Sequence, residues 1–150
     1  MATAGNETVV GRYLEEIINQ GDLAAADELL TPTFTIDHAG VPEVLRGPAA
    51  FKAFIAAFRT AFPDVHVMVE TVVADGEAAA VAWAAEGTHL GPFDGVPATG
   101  RRATWEGIAI VRVGCGQIVE VWSATDGLGL RRQLGIVTDA VPVAAATPAP

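Results

Sequence analysis

The residues that could move a proton are few: His38, His66, His89 and a set of carboxylates, one of which stands out by position. Residues 113–135 read VGCGQIVEVWSATDGLGLRRQLG, an apolar run that leaves a glycine turn and closes at Asp126. Aspartate is disfavoured in strands and rarely buried without a partner. Inside a closed apolar cavity Asp126 would lose water, its pKa would rise, and it would become a stronger base. At the start of a turn it would only cap that turn.

Other chemistries find little support. The three histidines are far apart and form no His-x-x-x-His pair, so a metal centre is not expected. Ser123 lacks a nucleophile motif, and the lone Cys115 lies between glycines, which excludes an internal disulfide. The glycines of 91–100 lack the strand–loop–helix context of a phosphate loop. A net charge of −9 with nine scattered basic residues argues against nucleic acid and against an anionic membrane surface. No run approaches the ~18 apolar residues of a membrane span. The opening MATAGNETVV lacks the basic and apolar regions of a secretory signal, and a reducing, cytoplasmic setting is expected.

The elements that must position these groups follow from periodicity. At 150 residues and 51% hydrophobic, a single domain with a substantial core is expected. Residues 1–5 are expected to be disordered, with Asn6 capping a helix whose apolar face carries Val9/Val10, Tyr13/Leu14 and Ile17/Ile18. Gly21 ends it, and Asp22 caps a shorter helix that stops before Pro32. Residues 33–39 alternate as a strand, with Phe34, Ile36 and His38 on one face. Pro48 opens a third helix with the stripe Phe51, Phe54/Ile55 and Phe58, and Phe62 beyond. Four strand-like runs follow, over 65–73, 78–89, 103–113 and 117–126, and an Ala/Pro tail over 137–150 is expected to be disordered. Helices first and a meander of strands later give an α+β fold: a cone-shaped barrel, a curved and mainly antiparallel sheet wrapped around three N-terminal helices over 6–136. Such a cone has a hollow suited to a small apolar ligand.

Several separated segments together resemble the SnoaL-like polyketide cyclase family. They are Gly87-Thr88-His89-Leu90-Gly91, Phe93, the run 95–101, Gly116 to Glu120, Trp122, Asp126 and Gln133-Leu134-Gly135, with Ala61-Phe62-Pro63-Asp64 upstream. The resemblance implies the cone-shaped fold of the nuclear-transport-factor-2-like superfamily. That superfamily holds cyclases, isomerases, epoxide hydrolases and non-catalytic binding domains, so fold alone does not fix function. In cyclases of this kind an aspartate matching Asp126 removes a proton between carbonyls of a polyketide ester. The carbanion then closes a ring by aldol attack, with no metal or organic cofactor. His38 matches a substrate-binding histidine of the family. Arg112 stands where a second histidine, about fourteen residues before the base, is usual in the family. Arginine keeps its charge near neutrality, so it can hold an enolate oxygen or a carboxylate but cannot exchange a proton. Beside Asp126 it would lower that carboxylate's pKa and weaken it as a base.

Without a bulge, strand parity places Ile118, Glu120, Trp122, Ala124 and Asp126 on one face and Val119, Val121, Ser123 and Thr125 on the other. On the preceding strand Thr104, Glu106, Ile108, Ile110 and Arg112 oppose Trp105, Ala109 and Val111, and parity does not say which face looks into the cone. The catalytic candidates are Asp126, His38 and Arg112. The candidate substrate surface is His89 with Trp83, Trp105, Trp122, Phe34, Phe58 and Phe62. The expected substrate is a small apolar or aromatic carbonyl compound. A homodimer or homotetramer through the sheet, with Val119 and Val121 on its exposed face, is also expected. Two alternatives stand beside this reading: a non-catalytic binding or dimerisation domain, and an epoxide hydrolase or isomerase. The hydrolase needs carboxylate and amide side chains, and the only asparagines are Asn6 and Asn19.

Overall fold

The computed structural model describes residues 2–137; most of the expected Ala/Pro tail lies outside the described residues. The first helix, α1 (Ala2–Arg12), runs on as a wider π-helical segment, Tyr13–Asn19. It starts earlier than the sequence pattern implied. Asn6 lies within this helix rather than at its cap. Asp22 then caps α2 (Leu23–Leu29), its Oδ1 accepting from the amides of Ala24 at 3.1 Å and Ala25 at 3.3 Å. Strand β1 (Leu30–His38) begins before Pro32, at a place where its ladder is irregular and the missing N–H is tolerated. A short β2 (Leu45–Arg46) leads into α3 (Gly47–Ala61), which carries Pro48 in its first turn.

The remaining strands are β3 (His66–Asp75), β4 (Ala78–Thr88), β5 (Arg102–Gly114) and β6 (Gln117–Thr125). The six strands form one sheet in the order β2-β1-β6-β5-β4-β3. Only β1 and β6 pair in parallel; every other neighbour is antiparallel. The sheet is curved and not closed, and the helices cover its concave face. A fourth helix not foreseen in the sequence, α4 (Gly127–Gln133), follows β6 directly. Its two glycines are poor helix formers. It forms because Asp126 caps it and because Leu130 and Leu134 bury against the sheet end.

Two apolar clusters sit under the concave face. The larger joins the first helices, α3 and the strands, with Phe34 edge-on to Phe51 at 5.4 Å and Tyr13 stacked on Phe51 at 5.8 Å. The smaller closes one end of the cone with Phe62, Trp105, Leu130 and Leu134. Gly107 allows a close approach there: a Cβ would run into the indole of Trp83 and the carbonyl of Ala124.

Candidate functional site

Between the helices and the concave sheet lies a cavity of about 110 Å³. Phe51, Phe54, Ile55 and Phe58 of α3 form one wall; Tyr13, Leu14 and Ile18 of the π-helical segment form a second. The floor is Ile36, His38, Trp83, Trp105, Val121 and Ser123. Alternation decides this lining. Odd-numbered β5 residues such as Trp105 and Ala109, and Val121 and Ser123 of β6, point inward. Pockets for drug-sized ligands run to ~300–1,000 Å³. The cavity is smaller than that range, and Phe54, Phe58 and Trp83 on its lining are half-buried.

Three residues bring polar side-chain atoms other than indole nitrogens to this greasy space: Tyr13, His38 and Ser123. Burial disfavours the imidazolium of His38 and lowers its pKa, with the nearby charge of Asp37 opposing part of that shift. The ring is therefore neutral at pH 7, and it packs 5.7 Å from Phe54. Burial pushes the phenol of Tyr13 well above its ordinary pKa, so its hydroxyl stays a proton donor. Tyr13, the only tyrosine in the chain, reads in sequence as one member of an apolar stripe. Its single signal there was a polar tip on an otherwise greasy face. Ser123 shares a face with Val121, the face expected from sequence to be the exposed one, so parity alone did not bring it to the cavity.

The other expected site residues divide. Trp83, Trp105 and Phe58 line the cavity. Phe34 and Phe62 are fully buried in the two clusters and do not border it. Trp122 is 45% exposed on the opposite, convex face. His89 is fully buried away from the cavity. Its Nδ1 accepts from the Thr99 amide at 3.2 Å and lies 2.9 Å from Thr99 Oγ1, while its ring stacks on Phe62 at 5.6 Å. Its place is inside the turn that joins β4 to β5, which it holds together.

Asp126 and Arg112 do not line this cavity. Asp126 is exposed at the end of β6, and its Oδ1 accepts from the Gly129 amide at 2.9 Å. Of the two environments open to it in the sequence, the structure gives the helix cap. It shares the convex face with Glu120 and Trp122, so parity turns it away from the cavity. Ile118 does not share that face as expected: a bulge at Val119 breaks the alternation and buries Ile118 in the core. Arg112 also points outward, and its Nη2 donates to Glu120 Oε2 at 2.6 Å rather than meeting Asp126. Fourteen residues do separate a directly paired couple on β5 and β6 that faces the cavity, but that couple is Ala109 and Ser123. The expected interface residues are corrected too: Val121 is buried on the concave side. Asn19 is committed elsewhere, its amide bonding both N–H and C=O of Val67, so it orients no water for an epoxide. Among the described residues no group of three or more His, Cys, Asp or Glu could hold a metal ion.

The fold and the cavity lining can be set beside known proteins. A family model described as SnoaL-like polyketide cyclase matches residues 8–134. The chain belongs to the SnoaL-like polyketide cyclase family. This family member is 37% identical over 92 residues to aklanonic acid methyl ester cyclase DnrD of Streptomyces peucetius. It is equally similar to aklanonic acid methyl ester cyclase DauD of Streptomyces sp. strain C5. Each match covers 61% of this chain but only 63% and 57% of those two relatives. Among solved structures, TsrD from Streptomyces laurentii aligns with a TM-score of 0.80 at 29% identity, over 91% of this chain and 99% of that one. IdmH from Streptomyces antibioticus aligns with a TM-score of 0.75 at 31% identity, over 87% and 98%. No helix among the described residues is long and apolar enough to cross a membrane.

Proposed function

We propose that this protein closes a ring in a polyketide-like carbonyl compound by proton transfer inside the apolar cavity, with His38 as the base. The observation that carries the reading is a neutral, half-buried imidazole in a cavity whose other ionisable group is a protonated phenol. The free ring nitrogen of His38 takes the proton from a carbon between two carbonyls. The electron pair left on that carbon is held as an enolate, whose oxygen accepts a hydrogen bond from Tyr13. The carbon then attacks a second carbonyl of the same molecule. A carbon–carbon bond forms, and the new alkoxide takes the proton back from the imidazolium. The aromatic walls hold the chain folded so that both reacting carbons lie close.

The name of the curated relatives supplies a test substrate, aklanonic acid methyl ester. His38→Ala is expected to lower kcat by about 10²–10⁴-fold, the usual range for a positioned general base. Asp126→Asn is expected to leave turnover near that of the unaltered protein, since asparagine caps a helix as well as aspartate does. The reverse pattern would return the base role to Asp126.

A second reading has its own observation: no carboxylate lines the cavity, and the paired inward positions are Ala109 and Ser123. On that reading the cone binds its ligand without transforming it. Quenching of Trp83 and Trp105 fluorescence by the ester, with no cyclised product in mass spectrometry or chromatography, would favour it.

A further inference from the structure

Ser123 is the only serine in the chain. The parallel pairing of β1 with β6 sets it directly beside His38, and the Ala39 amide donates to the Ser123 carbonyl at 2.8 Å, which fixes the two strands at that step. Directly paired residues of neighbouring strands stand ~4.8 Å apart and send their side chains to the same face. Here that face is the concave one, and both side chains line the cavity. On its other side Ser123 is paired with Ala109, whose methyl group leaves the hydroxyl uncrowded. Among the described residues neither the hydroxyl nor the imidazole has a hydrogen-bond partner, and neither is sealed off as the Nε2 of His89 is. No nucleophile motif surrounds Ser123 in the sequence, because its neighbour comes from a strand eighty-five residues earlier.

We propose that Ser123 is a nucleophile with His38 as its base, and that the cavity takes acyl groups from small uncharged esters. This is acyl transfer, a second reaction beside ring closure. His38 takes the hydroxyl proton as Oγ attacks the ester carbonyl carbon. The carbonyl oxygen becomes an oxyanion and accepts a hydrogen bond from the Tyr13 phenol, which burial keeps protonated. As this intermediate collapses, the bond to the alkoxy oxygen breaks, and the imidazolium gives its proton to the departing alcohol. Water then attacks the acyl-serine. His38 removes one proton from that water, the bond to Oγ breaks, and Oγ takes the proton back. One ester and one water thus give one acid and one alcohol. The substrate class follows from the lining: no Asp, Glu, Lys or Arg borders the cavity, so a charged acyl group would lose its water without gaining a counter-ion.

No carboxylate stands behind His38, since Asp37 is exposed and alternates to the opposite face. In Ser-His-Asp sites, loss of the aspartate lowers kcat by about 10⁴-fold. Trapping the serine is therefore a sharper readout than turnover. The full chain is treated with diisopropyl fluorophosphate, an uncharged probe that forms an Oγ–phosphorus bond and expels fluoride. One adduct per chain is expected by intact mass, mapping to the peptide that holds Ser123. No adduct, or an adduct on Tyr13 alone, overturns the proposal. His38→Ala is expected to slow labelling by about 10²-fold or more. Equal labelling in that variant means a serine that is reached but not activated, and it also overturns the proposal. Release of nitrophenol from 4-nitrophenyl butyrate is expected to fall by about 10²-fold or more in Ser123→Ala; an undiminished rate overturns acyl transfer to Ser123. Neither readout uses the cyclisation substrate. Ring closure by His38 needs no serine and survives a failure here, and a labelled Ser123 stands whether or not ring closure does.

Discussion

The two faces of one sheet carry nearly the same inventory of apolar side chains and put it to opposite use. The concave face, with Ile36, Trp105, Ala109 and Val121, is closed by helices and, apart from two indoles, admits only Tyr13, His38 and Ser123 as polar groups around its cavity. The convex face, with Ile108, Ile110 and Trp122, is open and carries Glu106, Arg112, Glu120 and Asp126. An ionisable group on the inner side loses its hydration, and its proton affinity moves; on the outer side water screens it. Position along β6 matters less than which way the side chain points. Ser123 and Asp126 are three residues apart, and only one of them touches the cavity.

That contrast can be broken by substitution. Truncating the inner wall should hurt most: Phe51→Ala, which strips a ring packed on both Tyr13 and Phe34, is expected to cost about 3–5 kcal/mol of stability in urea denaturation. A loss below about 1 kcal/mol would mean that the concave face is not the principal core. Next comes the donor in the cavity. Tyr13→Phe keeps the ring and removes the hydroxyl, so kcat for ring closure should fall by roughly 10-fold or more while KM changes little. An unchanged kcat would remove Tyr13 from the reaction.

The pH dependence sharpens the same comparison. Burial lowers the pKa of folded His38 below the ordinary ~6.5 of an exposed histidine. Above ~6.5 the ring is neutral in both folded and unfolded chains, and its contribution is fully present. As pH falls below that value, the unfolded chain takes up a proton that the folded chain resists, so stability drops down to the folded pKa. Turnover should fall over the lower part of the same window, as the base becomes protonated. Chemical denaturation at pH 5.5 and 7.5, repeated with His38→Ala, isolates this part; an identical pH slope in the variant would assign it to other groups.

The smallest effect belongs to the outer face. Asp126→Ala removes the cap of α4 and should cost about 1 kcal/mol, read as a lowered Tm, whereas Asp126→Asn should cost almost nothing. An equal and large loss from both would show that the carboxylate charge itself is needed.

Much of the architecture was legible in the chain. The helix stripes, the Asp22 cap, Pro48 at the start of α3, the glycine turns and the strand parity all rest on neighbours close in sequence, where backbone sterics and side-chain period act directly. The inner position of His38 followed from its alternation with Phe34 and Ile36. Helix α4 was not legible, because its glycines oppose it locally and only burial of Leu130 and Leu134 against a distant strand end favours it.

The order of side chains along β5 and β6 is thus a property of the sequence alone: it fixes which residues travel together on a face. Which face becomes the interior is not written there. That was decided when α1 and α3 packed on one side of the sheet, since both sides of these strands are apolar enough to be buried and only contact with the helices removes one of them from water. The same event left Asp126 in solvent and carried Tyr13, ninety-six residues from Ala109, onto the rim of the same cavity.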